Sequence, residues 1–522
     1  MNVRMWGRLS LLLGTFSLVL IAWLFLLNGS PLAKADGPNT LFVAPNGSGN
    51  ACTQAHPCAL HTALTQAQDG DLIYLAGGTY TGTEDPVIST TLSITLYGGW
   101  DGTPTHPVVR NPEAYPTTLD GESQRRVMYL QGPSTVVLDG FTIANGRVFS
   151  TSYPWQGAGL YARDVHLTLR NMTFSHNILD TFDKKGPWWG YGGGAYVEGG
   201  TLVIDHVTFS RNKAWSQIAS LGGGLAVMHS TSLQVADSVF RENDAWHGGG
   251  LYVEGDTNTP IWVTMTNTLF TDNGWGKTEG RGYAGYAGGA HLVNAEVFLE
   301  DVRFQHNYAA MDRGALALSH VQGRIERVTL LNNMSRRVSG LYLFENSVIT
   351  FTNAVVANNR TTGSVGYRSA INVWNSRATF FHTTIASNDT PAGLLLRYAS
   401  VSLINTIIVS HTVGISVSAR SSATLDHTLW GAGDWANGSD WDGDGTVTTQ
   451  YDVYGDPAFV NPAAGDYHIQ AHSAARDTGV DAGIPVDIDG EPRPFGPAPD
   501  IGADEWKPWN SAYMPYVPIE RP

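Results

Sequence analysis

Positive charge, cysteine and long apolar runs are all scarce in this chain, and each shortage removes a class of function. Of 522 residues only 15% are charged, and 31 Lys and Arg stand against 46 Asp and Glu, a net charge of −15. Nucleic acid and anionic membrane both need a concentrated basic footprint, so neither is an expected partner. The two cysteines, Cys52 and Cys58, lie close together without His/Cys companions at zinc spacing. In an oxidising compartment a local disulfide is the natural reading, with two free thiols as the alternative, and no thiol chemistry follows. One long apolar run exists, Leu9 to Leu27, preceded by Arg4 and Arg8 and followed by Ala33, Lys34 and Ala35. That order is the export-signal pattern, with cleavage expected after Ala35. The run is also long enough to span a bilayer, so an uncleaved N-terminal anchor stays open as the sole membrane contact. Either way the remainder is expected outside the cytoplasm, secreted or at the cell surface.

Glycine, by contrast, is abundant at 59 residues, and it recurs in a pattern. GGGAYVE at 192–198 leads to FSRN at 209–212, and GGGLAV at 222–227 leads to FREN at 240–243. GGGLYVE at 248–254 and FTDN at 270–273 follow, then GGAHL at 288–292 and FQHN at 304–307; weaker copies end at Asn145, Asn177, Asn333, Asn359, Asn388 and His411. A repeat of about 23 to 35 residues rich in short β runs points to a solenoid. Within one copy Ala195 and Val197, Leu202 and Ile204, then Val207 and Phe209 form three short apolar alternations. Each is a strand with one buried face, so the expected fold is all-β, a single-stranded parallel β-helix of about ten or more coils. The stretch from Gly194 to Asn212 keeps nearly the same length in all copies but the one from Gly250 to Asn273, whereas the stretch from asparagine to the next glycine varies. Insertions therefore leave one corner, where function on a rigid scaffold usually sits.

Asn177, Asn212, Asn243, Asn273 and Asn307 are expected in the left-handed turn conformation and in register as an amide ladder. Phe174, Phe209, Phe240, Phe270 and Phe304 are expected as a stack in the core. The domain plan is a signal or anchor at 1–35, an N-terminal cap and first coils at 36–100, repeats at 101–430, C-terminal coils and a capping segment at 431–505, and a Pro/Tyr-rich tail at 506–522.

The glycine strand followed by Phe-x-x-Asn resembles the right-handed parallel β-helix repeat proteins and looks like the repeat of the chlamydial polymorphic outer-membrane proteins. LFVAPNGSGNAC at 41–52 and GDLIYLAGGTY at 70–80 resemble the N-terminal coil of secreted β-helix proteins. DPAFVNP at 456–462, DIDGEPRP at 487–494 and DIGADE at 500–505 are similar to the C-terminal segment of bacterial surface β-helix proteins. The resemblance covers about residues 41–505 and implies the right-handed fold and export, with Ala59 to Gln68 as a short helix plugging the first coil and Cys52–Cys58 tying the loop before it. Pectate-lyase-like enzymes, polysaccharide hydrolases, tailspikes and adhesins share this fold, so it implies no single activity.

Candidate sites follow from the corner and the strand phase. Trp155, Trp188, Trp189, Tyr191, Trp215, Trp246, Trp275, Tyr283 and Tyr286 crowd the variable loops, and flat rings beside polar groups suit sugar faces. Rings folded into small loop cores are the bland alternative. Two residues past each glycine, Tyr161, Tyr196, Ala226, Tyr252, His291, Leu316 and Tyr342 are expected to face solvent; two further on come Arg163, Glu198, Met228, Glu254, Val293, Leu318 and Phe344. Glu198 and Glu254 are the candidate catalytic pair, two coils or about 10 Å apart at ~4.8 Å per coil, close to the roughly 6.5–9.5 Å of an inverting glycosidase. His291 is a candidate assistant.

Asp440, Asp442, Asp444 and Gly445 copy the start of a calcium loop, but its twelfth position is Tyr451 instead of a bidentate glutamate. A plain Asp/Gly turn competes with calcium there, with Asp452 or Asp456 as rescuing ligands. Three functions compete: an extracellular protein that binds polysaccharide or cell-surface glycan, using Tyr196 and Tyr252 beside the tryptophans; a carbohydrate-active enzyme on the same face; and a structural spacer. A monomer is expected.

Overall fold

The computed structural model describes residues 38–82, 86–104, 106–149, 154–181, 189–216, 218–274, 285–364 and 366–508. The export segment at 1–35, Trp188, Trp275, Tyr283 and most of the tail lie outside them. From Thr40 onward the chain is one unit, built on a hydrogen-bonded network of 30 strands. One register column runs through Ile88, Met128, Leu160, Ala195, Leu225, Leu251, Ala290, Leu316, Leu341, Ile371, Leu394, Ile415 and Trp441, every step parallel. The expected stack of ten or more coils is present.

Each coil repeats one plan. Ala195–Glu198 turns at Gly199 and Gly200 into Thr201–Ser210, which bends at His206 with a φ of 54°. Its Leu202, Ile204, Val207 and Phe209 point inward and are buried. The core phenylalanines stack as expected, at 4.8 Å for Phe174–Phe209, 4.9 Å for Phe209–Phe240 and 4.7 Å for Phe240–Phe270. The glycine before the first strand has two separate reasons: Gly192 sits at a φ of +66°, and a Cβ on Gly194 would meet the Gly224 carbonyl oxygen at 2.4 Å.

The asparagine ladder is real, but its backbone reading is off by one residue. Positive φ belongs to the residue before each ladder asparagine, as at Arg211 (56°), Glu242 (54°) and Asp272 (55°). The asparagines themselves are buried for their amides. Asn243 Nδ2 donates to Phe209 O at 2.9 Å and to Asn273 Oδ1 at 3.0 Å, while its own Oδ1 accepts from Asn212 N and Asn212 Nδ2 at 3.0 Å each. The run continues through Asn388, whose Nδ2 meets His411 Nε2 at 3.1 Å, and His411 N donates to Asn437 Oδ1 at 3.0 Å.

At the first coil Cys52 and Cys58 form a disulfide, and a helix at Leu60–Gln66 buries Leu60 and Ala63 on the core. The far terminus departs from the expected end cap. After Val453–Gly455 the chain turns back along the flank of the coils instead of covering their end. There Tyr467 Oη donates to Asn358 Oδ1 (2.8 Å), Asn353 Nδ2 to Val486 O (2.8 Å) and Ala503 N to Thr384 Oγ1 (3.2 Å). Its Phe459, Tyr467, Ile469 and Ile501 form a second apolar cluster with Val355, Ile407, Val409 and Leu429 of the coils.

DIDGEPRP and DIGADE meet in this strap. Fully buried Arg493 pairs with Glu505 (3.1 Å) and donates to the carbonyls of Asp500, Gly502 and Ala503. Asp487 accepts from the backbone of Asp489, Glu491 and Glu505. These motifs are therefore explained by the strap's own fold.

Candidate functional site

The variable corner carries a second layer of structure that the loops' length conceals. Short strands follow the ladder turns, with Arg147–Phe149, Ile178–Thr181 and Lys213–Ser216 pairing in parallel. Trp189–Tyr191 then pairs with Ala219–Leu221. Tyr191 and Leu221 pack on the outward row of the glycine strand, so Tyr161, Tyr196, Ala226 and Tyr252 are buried, with Met228. The expectation that this row faces solvent is corrected, and the cause is this covering layer. One register slip adds to it: Ala315 takes the place of the last glycine, so His291 pairs with Ala317 and Val293 with Ser319. Leu316 and Leu318 thus face the core.

The second outward row stays at the surface in part. Arg163, Glu198, Met228 and Glu254 are in register on adjacent coils. Glu198 Oε2 accepts from Tyr196 Oη at 3.2 Å and lies 3.8 Å from Arg163 Nε; Glu254 Oε2 accepts from Tyr252 Oη at 2.7 Å. Burial first, and the adjacent glutamate next, raise both tyrosine hydroxyls well above the ordinary phenol range. The tyrosines are therefore fixed donors that aim each carboxylate along the face. Burial, then Glu254 and Glu198, also raise Tyr191, which places its hydroxyl within the field of both acids. The two glutamates share a face as expected, with Met228 between them.

His291 does not share it. It is 5% exposed and sits edge-on to Tyr252 at 5.3 Å, so the expected surface assistant is an interior ring.

Next to Glu198 opens a cleft of about 500 Å³, lined by Pro86, Ser89, Arg126, Tyr129, Gln131, Pro154, Tyr161 and Arg163. Tyr129 and Tyr161 stack at 4.9 Å to form one wall. Arg126 donates from Nε to Gly157 O and from Nη2 to Gln156 O (both 3.0 Å), which holds the turn at the rim. Arg163 is half exposed at the other rim. Apart from Tyr161 and Arg163, sequence reasoning did not single out these residues. The cleft lies between the first repeats and an N-terminal loop, and no periodic signal links the two.

The described tryptophans differ in exposure. Trp189 is 47% exposed, on the strand covering Tyr196. Trp155, Trp215 and Trp246 are half-buried; Trp215 Nε1 donates to Asp244 Oδ2 at 3.5 Å, and Lys213 Nζ lies over its ring. Asp440 and Asp442 lie on Ser439–Asp442 with Asp444 in the bend beyond, and Asn437 Nδ2 donates to Asp440 at 3.2 Å. Among the described residues the acid and imidazole groups that converge are Asp205, His206 and Asp237, and His468, Asp489 and Asp504; the calcium-loop aspartates do not.

A family model described as a right-handed beta helix region matches residues 122–312. The coils on either side of those residues continue the same parallel β-helix fold. Among solved structures this β-helix is similar to pectate lyase Pel9A, with 13% identity, 90% of this chain and 97% of that chain covered, and a TM-score of 0.34. It is similar to the periplasmic alginate epimerase AlgG (10% identity, 78% and 83% covered, TM-score 0.37). Tailspike protein 3 of bacteriophage CBA120 is a third (9% identity, 79% and 61% covered, TM-score 0.36). A search of curated proteins found no match. Such likenesses transfer no site residue, so function has to be argued from this chain's own face.

Proposed function

We propose that this β-helix is an exported protein that binds a polysaccharide or cell-surface glycan along the face running from the Arg126–Arg163 cleft past Glu198 to Glu254. The observation that carries the proposal is the cleft: the Tyr129 ring, backed by buried Tyr161, for a sugar, Arg163 and Gln131 at its rims, and two tyrosine-held carboxylates continuing the register of Arg163. Sugar sites combine an aromatic platform with a few oriented polar groups. Trp189 is the exposed ring nearest in fold to this face and is assigned as its outer anchor; Trp155, Trp215 and Trp246 are assigned a supporting role in the second layer. The export pattern and the disulfide support an extracellular setting.

A catalytic reading rests on a specific observation of its own, the shared face of Glu198 and Glu254, two coils apart in register and so about 10 Å apart. A glycan array on the exported chain, followed by reducing-end and unsaturated-product assays on any polysaccharide bound, tests both. Binding is expected, and it should weaken at least about tenfold in Arg163→Ala, as for an anchor worth roughly 1–3 kcal/mol. Glu198→Gln or Glu254→Gln should abolish turnover under the catalytic reading and leave binding nearly unchanged under the binding reading.

A further inference from the structure

Two columns of side chains meet on the flank of the coils between His247 and Phe344. One is the outward row of the glycine strand, with Tyr252, His291, Ala317 and Tyr342 in register. The other comes from the segment before each glycine, where His247, Tyr286 and Asp312 are bridged in turn. Arg313 follows Asp312 and fills the slot that Gly248 holds two coils earlier. Their φ values are 67° and 60°, and an arginine is disfavoured in that left-handed backbone where glycine is at ease. The side chain is what this position gains.

That side chain is partly buried against aromatic rings, and its inner nitrogen is not paired. The guanidinium carbon lies 4.2 Å from the Phe344 ring centre, 5.2 Å from Tyr286 and 5.3 Å from Tyr342. Its Nε is buried and has no hydrogen-bond partner among the described residues, and no carboxylate there comes within ion-pair distance. The adjacent Asp312 uses Oδ1 to accept the Arg313 backbone N–H at 3.0 Å. Beside it His291, 5% exposed, stacks on His247 at 5.6 Å, and neither of its ring nitrogens has a partner; His247 Nδ1 is buried and unpartnered too. The other titratable and charged groups packed here include Tyr191, Tyr252, Glu254, Tyr286, Tyr342, Glu345, Arg397 and, beyond Asp312, Arg337.

Buried polar groups are satisfied as a rule, and a set left open marks a missing partner. The guanidinium Nε–H is a donor, and every imidazole nitrogen left open becomes one once its ring is protonated, so the partner that satisfies the whole set is an acceptor. A fixed positive charge without a carboxylate makes that acceptor an anion, and the planar guanidinium matches an oxyanion. We propose that Arg313, His247 and His291 form a binding site for a small oxyanion of the carboxylate or sulfate class.

Burial, and after it the Arg313 charge, hold His247 down at about 4 and His291 well below its ordinary value. An anion in the cluster offsets the second cause and stabilises the protonated rings, so binding takes up protons and tightens in acid. The site does not depend on the glycan reading, because a sugar-free anion tests it.

The experiment is thermal unfolding of the exported chain at fixed ionic strength, with chloride replaced by sulfate, and separately with sodium glucuronate or glucose added, at pH 5.5 and 7.5. Sulfate, glucuronate or both should raise Tm with dose, with an apparent affinity about tenfold higher at the lower pH, the effect of the anion restoring His247 from about 4 to an ordinary value of about 6.5. Arg313→Gly, which restores the residue found at Gly248, should fold and keep only the general rise that sulfate gives any folded chain. A rise in excess of that variant's with sulfate alone assigns a free anion, and with glucuronate alone an acid group on a saccharide. The proposal is overturned if neither anion raises Tm, if Arg313→Gly responds like the parent chain, or if glucose matches glucuronate.

Discussion

At the residue scale the molecule is held by amides doing what hydrophobic packing cannot, which is to fix the angle of one turn on the next coil. Asn243 makes two donor contacts and receives two, all buried. Asn243→Val removes them and strands the amide of Asn212, so a loss of about 3 kcal/mol is expected, because each unmet buried group costs ~1–3 kcal/mol. Chemical denaturation checks this.

His411 is the irregular rung. Its Nε2 accepts from Asn388, its Nδ1 is buried and unpartnered, and burial lowers its pKa to about 4. A base depressed in the fold contributes stability at high pH that is lost as pH falls from about 6.5 toward about 4. Protonation would also set a donor against the Asn388 amide. His411→Asn should therefore stabilise the chain and flatten its acid limb; an unchanged acid limb in that variant would assign the pH response elsewhere.

At the element scale, sheets and ladder were legible because their signals repeat, and the second layer was not because its signals do not. Period-two alternation in TLVIDHVTFS exposed the coil, and recurrence of Phe and Asn exposed both stacks. Short strands such as Trp189–Tyr191 have no period of their own and read as loop. Their trace was in the strands they cover: Leu225–Met228 and Val338–Phe344 are buried on both faces, and both are apolar on both faces or nearly so. The same doubling in Val348–Ala357 and Ser400–Val409 announces the C-terminal strap. The cleft left no such trace, since Arg126 and Tyr129 become neighbours of Ser89 only through the fold.

The strap carries its own pH response. Burial pushes Asp500 and Asp504 up to about 7. Carboxyls raised in the fold stabilise most in acid and lose that contribution as pH rises through about 7, so the strap's amide protection, corrected for the base-catalysed intrinsic rate, should be lower at pH 8.5 than at pH 6. The coil around His382, lowered by burial to about 3, should respond in the opposite sense on acidification. Breaking the buried Arg493–Glu505 pair by Glu505→Gln should cost roughly 3–5 kcal/mol, since it leaves a buried charge uncompensated.

At the scale of the whole molecule the β-helix is a long rigid core with its ends and one flank treated differently. The disulfide and the Leu60–Gln66 helix secure the first coil; reduction should lower stability by about 2 kcal/mol without changing the repeats. The strap covers one flank of the later coils and the second layer covers the variable corner, while Arg163, Glu198 and Glu254 keep partial exposure beside the cleft. That exposure supports the proposed ligand face. The direct test is a binding titration of the exported chain against the best glycan from an array, in parallel with Arg163→Ala and Trp189→Ala. The account predicts tight binding by the parent chain and a loss of at least about tenfold in each variant with unchanged unfolding, as expected of anchor residues. Full binding retained by both variants would contradict it.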